Sequence, residues 1–334
     1  MLLRPYELLM PPVIPAVVGH EVNVYFDNLI CGEATRYDFD VNAPIGRHRN
    51  EGWTCVPEEP GDYPLTVEVY SEEGERLDRG STIVRVKAAD AGAGSHRRVM
   101  FIGDSTTGAG QYTAELLRLF SGDPADLTLV GTRGTAPNVH EGRGGWKVKD
   151  YWEHPESPFL FDGGTFDFTR YMETNGRPGL DDVCIHLGIN DVFHFQEEGP
   201  MEPFLVKNMT LLEAIIADIG KYDPGIRIGM MLVIPPSRTQ DSFGRSYGAI
   251  HSRRKYKRKW FQWNRELLAR FSGRAGIELI PMHVNLDGVR NMPTESVRGN
   301  ARNPRSEIIQ SNGVHPAVEG YQQMADMLYA WLKA

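Results

Sequence analysis

From residue 98 onward, short apolar runs alternate with stretches of helical spacing, and few architectures accept that order. Strands are expected at Val99–Gly103, Leu127–Val130, Val183–Leu187, Ile226–Ile234 and Ile277–Pro281. Runs this short and this continuously apolar suit strands buried on both faces. Between them Leu205, Met209, Leu212, Ile216 and Ile219 mark one apolar helix face, and Tyr321, Met324, Leu328 and Trp331 another. Five strands with interleaved helices predict an α/β domain built on a doubly wound parallel sheet.

The part before residue 88 follows a different period. Val22, Val24 and Phe26 alternate with polar neighbours, as do Leu65, Val67 and Val69, and Ile83-Val84-Arg85-Val86 adds a further strand. Glu73-Gly74-Glu75 sits between two such runs and suits a hairpin. Residues 1–88 are therefore read as a small all-β domain of sandwich type. The small-residue stretch Ala88 to Ser95 reads as a linker, giving boundaries of 1–88, 89–96 and 97–334. A length of 334 residues suits two domains with ample core.

Chemistry gathers in four segments of the second domain. Gly103-Asp104-Ser105-Thr106 follows an apolar strand and precedes helical spacing, which mounts the Ser105 hydroxyl at the carboxyl edge of a sheet. His140-Glu-Gly-Arg-Gly-Gly-Trp146 is a glycine turn whose bare N–H groups suit an anion. Gly188-Ile189-Asn190-Asp191 puts an amide at another strand end, and Ser311-Asn-Gly-Val-His315-Pro316 puts an imidazole ahead of the last helix. A hydroxyl, an imidazole and neutral hydrogen-bond donors are the parts of acyl transfer. Each segment alone also suits an ordinary turn or cap.

Taken in order, the four motifs resemble the SGNH hydrolases, also called the GDSL-like lipase/acylhydrolase superfamily, over residues 98 to 334. The resemblance implies a flavodoxin-like α/β fold. It implies that Ser105 is the nucleophile and His315 the base, with the N–H groups of Ser105 and Gly145 (or Gly144) and the amide of Asn190 forming the oxyanion hole. Asp104, Trp146 and Asp191 are expected to face the substrate. The family usually carries an aspartate three residues before the histidine, and here that position is Asn312. An amide cannot stabilise an imidazolium as a carboxylate does, although its oxygen can fix the ring tautomer. Asn312 is kept as the third catalytic candidate. The activity implied is hydrolysis of short-chain esters, with O-acetyl groups on sugars favoured by the neighbouring β-domain. A lipid or thioester acylhydrolase, and a non-catalytic carbohydrate-binding protein with a decayed site, are the alternatives.

A net charge of −8 argues against a nucleic-acid partner, and no apolar run approaches the roughly 20 residues of a membrane span. The expected partner is a small-molecule or oligosaccharide ester, with room left for a homo-oligomer. No metal spacing and no dinucleotide or phosphate loop occurs, so neither metal nor cofactor is expected. Cys31, Cys55 and Cys184 are read as reduced thiols, and the polar, proline-broken start is read as lacking a signal peptide; together they predict the cytoplasm. Arg253 to Lys259 is read as the solvated start of a helix, and Pro235 to Tyr256 as a lid or a surface excursion. His186 and His194 are read as structural. Trp146, Tyr151, Trp152 and Phe193 are candidates for a sugar-sized floor or for core.

Overall fold

A computed structural model describes residues 3–177, 179–195 and 200–333. Five parallel strands form the expected sheet: β1 (His96–Gly103), β2 (Asp126–Val130), β3 (Asp182–His186), β4 (Arg227–Met231) and β5 (Ile277–Ile280). Their spatial order is β2-β1-β3-β4-β5, the flavodoxin-like arrangement. Every residue of β3 is buried, Asp182 and His186 included, as suits a central parallel strand covered on both faces. The run expected to continue to Ile234 leaves the ladder after Met231 and passes, still buried, into the loop that follows.

Four long helices flank this sheet: α1 (Gln111–Phe120), α2 (Glu202–Tyr222), α3 (Arg253–Phe271) and α4 (Val318–Leu332). α1 packs on α4, and α2 packs on α3. The buried face of α2 runs through Leu205, Met209, Leu212, Ile215 and Ile219; Ile216, expected on that face, is only half buried. α4 is buried almost all round from Gly320 to Leu332, because it also contacts the strand Val13–Val17 of the N-terminal part.

That part holds two sheets. One has the order Val13–Val17, Arg76–Lys87, Gly61–Tyr70, Asp38–Asn42, and the other Val22–Tyr25, Gly52–Cys55, Arg47–Arg49. The expected hairpin joins the two longest strands, with Gly74 at φ +82° and its N–H donated to the Ser71 carbonyl. Leu65, Val67 and Val69 point into the core between half-exposed neighbours. Residues 88–95 form successive turns, tied by the Gly94 N–H to the Pro124 carbonyl at 2.9 Å.

The apolar core runs without a break from the N-terminal sheets into the α/β part. Polar contacts fasten the same seam. Asn28 donates to the carbonyls of His283 and Leu286, both at 2.8 Å. Asp27 meets Arg253 at 2.7 Å and Lys257 at 2.8 Å, with Arg238 as a third cation. This corrects the reading of Arg253–Lys259 as a solvated face: the Arg253 and Lys257 side chains are 5% and 2% exposed. Buried cations are tolerated only when paired, and the paired anion comes from the other half of the chain.

Removing the shared anion strands its cations, so Asp27→Ala should lower unfolding free energy by about 3–5 kcal/mol. Lys257→Met, which leaves Asp27 with two arginines, should cost distinctly less. Urea denaturation compares the two, and equal losses would show that Asp27 does not organise the cluster.

Candidate active site

The end of β1 leaves no room for side chains. A Cβ on Gly103 would lie 2.0 Å from Thr107 Oγ1 and 3.0 Å from the His186 carbonyl. The chain then turns into a short helix, Ser105–Gly108, capped by Asp104, whose Oδ1 accepts from Thr106 N at 3.0 Å and Thr106 Oγ1 at 2.9 Å. Ser105 occupies the first helical position, where a backbone N–H has no intrahelical partner. Its Oγ lies 2.8 Å from His315 Nε2, across 210 residues of sequence.

His315 closes the turn that leads into α4. Burial holds its imidazole below the ordinary value of 6.5, so the ring is neutral at pH 7 and free to accept a proton. Among the described residues nothing hydrogen-bonds its other ring nitrogen. Asn312, expected to orient the ring, does not: its Oδ1 accepts the backbone N–H of Val314 at 3.0 Å and of His315 at 2.9 Å. The side chain shapes the turn that carries the imidazole, an Asx-type role open to asparagine and aspartate alike.

The segment Pro235 to Tyr256 braces that turn from behind. Ser237 N–H donates to the Gly313 carbonyl at 3.0 Å, and Ser246 Oγ to the Ser311 carbonyl at 2.8 Å. The helix Gln240–Tyr247 sets Phe243 and Tyr247 so close that a Cβ on Gly313 would meet both rings at 3.0 Å.

The glycine turn reaches the site on a strand that periodicity did not reveal. Asn138–Gly142 pairs in parallel with the last residues of β1, and Arg143 N–H donates to the Gly103 carbonyl at 2.9 Å. Gly144 and Gly145 are exposed, Gly145 at φ +79°. Beneath them lies a brace that the sequence reading missed. Glu141 is wholly buried and accepts from Arg143 at 2.7 Å and from the Tyr171 hydroxyl at 2.5 Å, while the Tyr151 hydroxyl donates to the Gly103 carbonyl at 2.8 Å. Glu141 and Arg143 alternating inside the glycine motif were the available signal.

Asn190 follows Gly188, whose φ of +137° and contact with Trp263 exclude any side chain. Its amide donates one hydrogen to the Trp146 carbonyl at 3.0 Å, which locks the strand end to the glycine turn. The amide carries a second hydrogen. Trp146 is half buried, with its edge-on partner Tyr151 at 5.0 Å and the Arg143 guanidinium 5.1 Å from its ring centre. Phe193 is also half buried and stacks on His251 at 4.2 Å. Tyr151 is core, and Trp152 stacks on Phe166.

Asp104 and Asp191 were expected to face substrate; both are buried and spent on the backbone. Asp104 is 0% exposed, and burial raises its carboxyl to about 6. Asp191 accepts from Val148 N at 3.2 Å, and burial, with Asp104 and Asp150 nearby, raises it to about 8. His186 faces Thr106 Oγ1 at 3.0 Å from within the core, where burial lowers it to about 4. It supports the serine turn from below, while His194 lies exposed on its short helix. All three cysteines are buried and unpaired. Among the described residues no group of three His, Cys, Asp or Glu side chains is placed to hold a metal ion, and no helix is long and apolar enough to cross a membrane.

A serine hydroxyl touching a neutral imidazole, at the carboxyl edge of a β2-β1-β3-β4-β5 sheet, has the arrangement of a nucleophile and its base. No protein-family model and no curated protein matches the chain. Solved structures similar to it include a family 3 carbohydrate esterase from Clostridium thermocellum, at 17% identity over 70% of this chain and 94% of that one (TM-score 0.42). A GDSL-like lipase from Bacteroides thetaiotaomicron is similar at 15% identity over 70% and 85% (TM-score 0.38). A Corynascus thermopiles carbohydrate esterase family 2 enzyme with a carbohydrate-binding domain is similar at 12% identity over 93% and 89% (TM-score 0.38). What the site can do follows from its own geometry.

The Asp191 carboxyl gives a stability prediction. Its folded-state pKa of about 8 lies above its ordinary 3.8, so its contribution is full below pH 4 and is lost as the pH rises through 8. Thermal unfolding should show stability falling over that window, with Asp191→Asn flattening the fall. An unchanged slope in the variant would contradict the assignment.

Proposed function

We propose that the chain is a serine ester hydrolase of the SGNH type, acting on short-chain esters such as O-acetyl groups on sugars. The observation that carries this is the 2.8 Å contact between Ser105 Oγ and His315 Nε2 beside a glycine turn and the Asn190 amide. The two N-terminal sheets are read, in the same proposal, as the layers of a small sandwich flanking the hydrolase.

The reaction would run in two steps. Ser105 Oγ bonds to the ester carbonyl carbon as its proton passes to His315 Nε2, and the carbonyl oxygen gathers negative charge. That oxygen would be met by the N–H groups of Ser105 and Gly145 and by the second amide hydrogen of Asn190. The C–O bond to the alcohol breaks, and the alkoxide takes the proton from Nε2. Water then attacks the acyl-serine with His315 again as base, releasing the acid. In this reading Ser105 and His315 act as a pair, with Asn312 holding the turn. Trp146 and Phe193, the half-buried rings at the site, supply apolar faces for a sugar-sized alcohol.

Hydrolysis of p-nitrophenyl acetate, butyrate and octanoate tests this. Activity should be greatest on acetate, and Ser105→Ala should lower kcat by at least about 10⁴-fold. Asn190→Ala should cost about 10²–10³ in kcat. The acid limb of the pH–rate profile should lie below 6.5, since burial lowers the His315 pKa. Activity rising toward octanoate would favour a lipid or thioester acylhydrolase. Turnover unchanged in Ser105→Ala would overturn the nucleophile.

A further inference from the structure

Two adjoining cavities, of about 660 and 480 Å³, open between the N-terminal sheets and the α/β part. They share Tyr25, Arg49, Asn50, Glu51 and Asp287 in their linings and so form one groove. Ser105, Asn190 and His315 line neither cavity. One wall comes from the β-rich part. Phe39 lies flat on Phe26, with ring centres 4.4 Å apart and planes within 4°, and Tyr37 stands beside it, both half exposed. The other wall is the loop after β5, at Asp287, Gly288 and Val289, together with Arg238.

The charges of this groove are largely matched. Arg290 meets Glu51 at 2.7 Å and Asp287 at 3.1 Å, bridging the two walls. Asp27 is held by Arg238, Arg253 and Lys257. Arg49, Asp38 and Glu21 line the groove, are exposed and have no ion-pair partner among the described residues, so the unmatched charges are of both signs. Planar carboxylate, amide and guanidinium edges therefore line the groove without a strong field of either sign. An acidic polymer or a phosphate would need cations in excess. Aromatic faces beside fixed donors and acceptors suit a neutral ligand with apolar ring faces and many hydroxyl groups.

We propose that this groove binds a neutral oligosaccharide, the carrier of the ester that Ser105 cleaves. The second clause rests on the hydrolase reading; the first does not. A structural link joins the two places. Gln310 donates to the carbonyls of Gly288 at 2.7 Å and Val289 at 2.9 Å, and Gln310 immediately precedes the Ser311–His315 turn. The Gln310 side chain thus ties the groove wall to the residue that leads into the imidazole's turn.

Native electrophoresis through gels containing xylan, galactomannan or β-glucan tests the binding, using Ser105→Ala protein so that no ester is consumed. At least one polysaccharide should retard it. Phe39→Ala and Arg49→Ala, each added to that background, should weaken the apparent affinity by at least about tenfold, a change of about 1.4 kcal/mol. Because Arg49 is exposed, its substitution keeps the test valid should Phe39→Ala lower the melting temperature. No retardation by any of the three, or retardation equal in the groove variants, would overturn the proposal. Turnover of p-nitrophenyl acetate by the wild type, measured separately, shows whether the hydrolase reading stands when the groove does not.

Discussion

Three stretches of backbone meet at the carboxyl end of β1 more closely than any side chain allows. A Cβ on Gly103 would meet Thr107 at 2.0 Å, and one on Gly142 would meet the Gly108 nitrogen at 2.3 Å. Native cores do not relieve overlaps of this size without moving backbone. The glycines therefore let the strand end, the serine turn and the glycine turn nest together. Ser105, Gly145 and Asn190 hold their places because the segments beneath them are locked in this way. The buried Glu141, Arg143 and Tyr151 network and the Asn190–Trp146 hydrogen bond complete the lock.

Most of the α/β half was legible in the sequence because its central strands β1, β3 and β4 are largely buried on both faces and read as short apolar runs alternating with helical spacing. The Ser105–His315 pairing was legible from motif order, although no local property of residue 315 points to residue 105. Other features were not. Asn138–Gly142 is a five-residue strand with two residue pairs to β1 and three to Arg133–Thr135, and its sequence Asn-Val-His-Glu-Gly shows no apolar period. Asn312, Asp104 and Asp191 look like site residues because they stand inside the motifs, yet their side chains serve backbone N–H groups. Side chains of this kind hydrogen-bond locally as readily as they meet a ligand, and sequence position does not separate the two uses. The Arg253–Lys259 cluster misled for another reason: its counter-ion lies 226 residues away at Asp27.

The seam between the β-rich and α/β parts is built like an interior. One apolar core crosses it, and Asp27, Asn28 and Arg290 each bond residues from the other side. The proposed saccharide groove lies along this seam, so its two walls are fixed relative to each other. A rigid groove binds at lower entropic cost than one that must assemble around its ligand. The wall at Gly288 and Val289 is also hydrogen-bonded by Gln310, which leads into the turn that presents His315.

The central claim is that Ser105 is a nucleophile activated by His315. The most direct measurement is the intact mass of the protein after treatment with an organophosphonate inhibitor, followed by peptide mapping. The account predicts one adduct per chain, on Ser105, absent from Ser105→Ala and slowed severely in His315→Ala. No adduct, or an adduct on another residue that persists in Ser105→Ala, would contradict it.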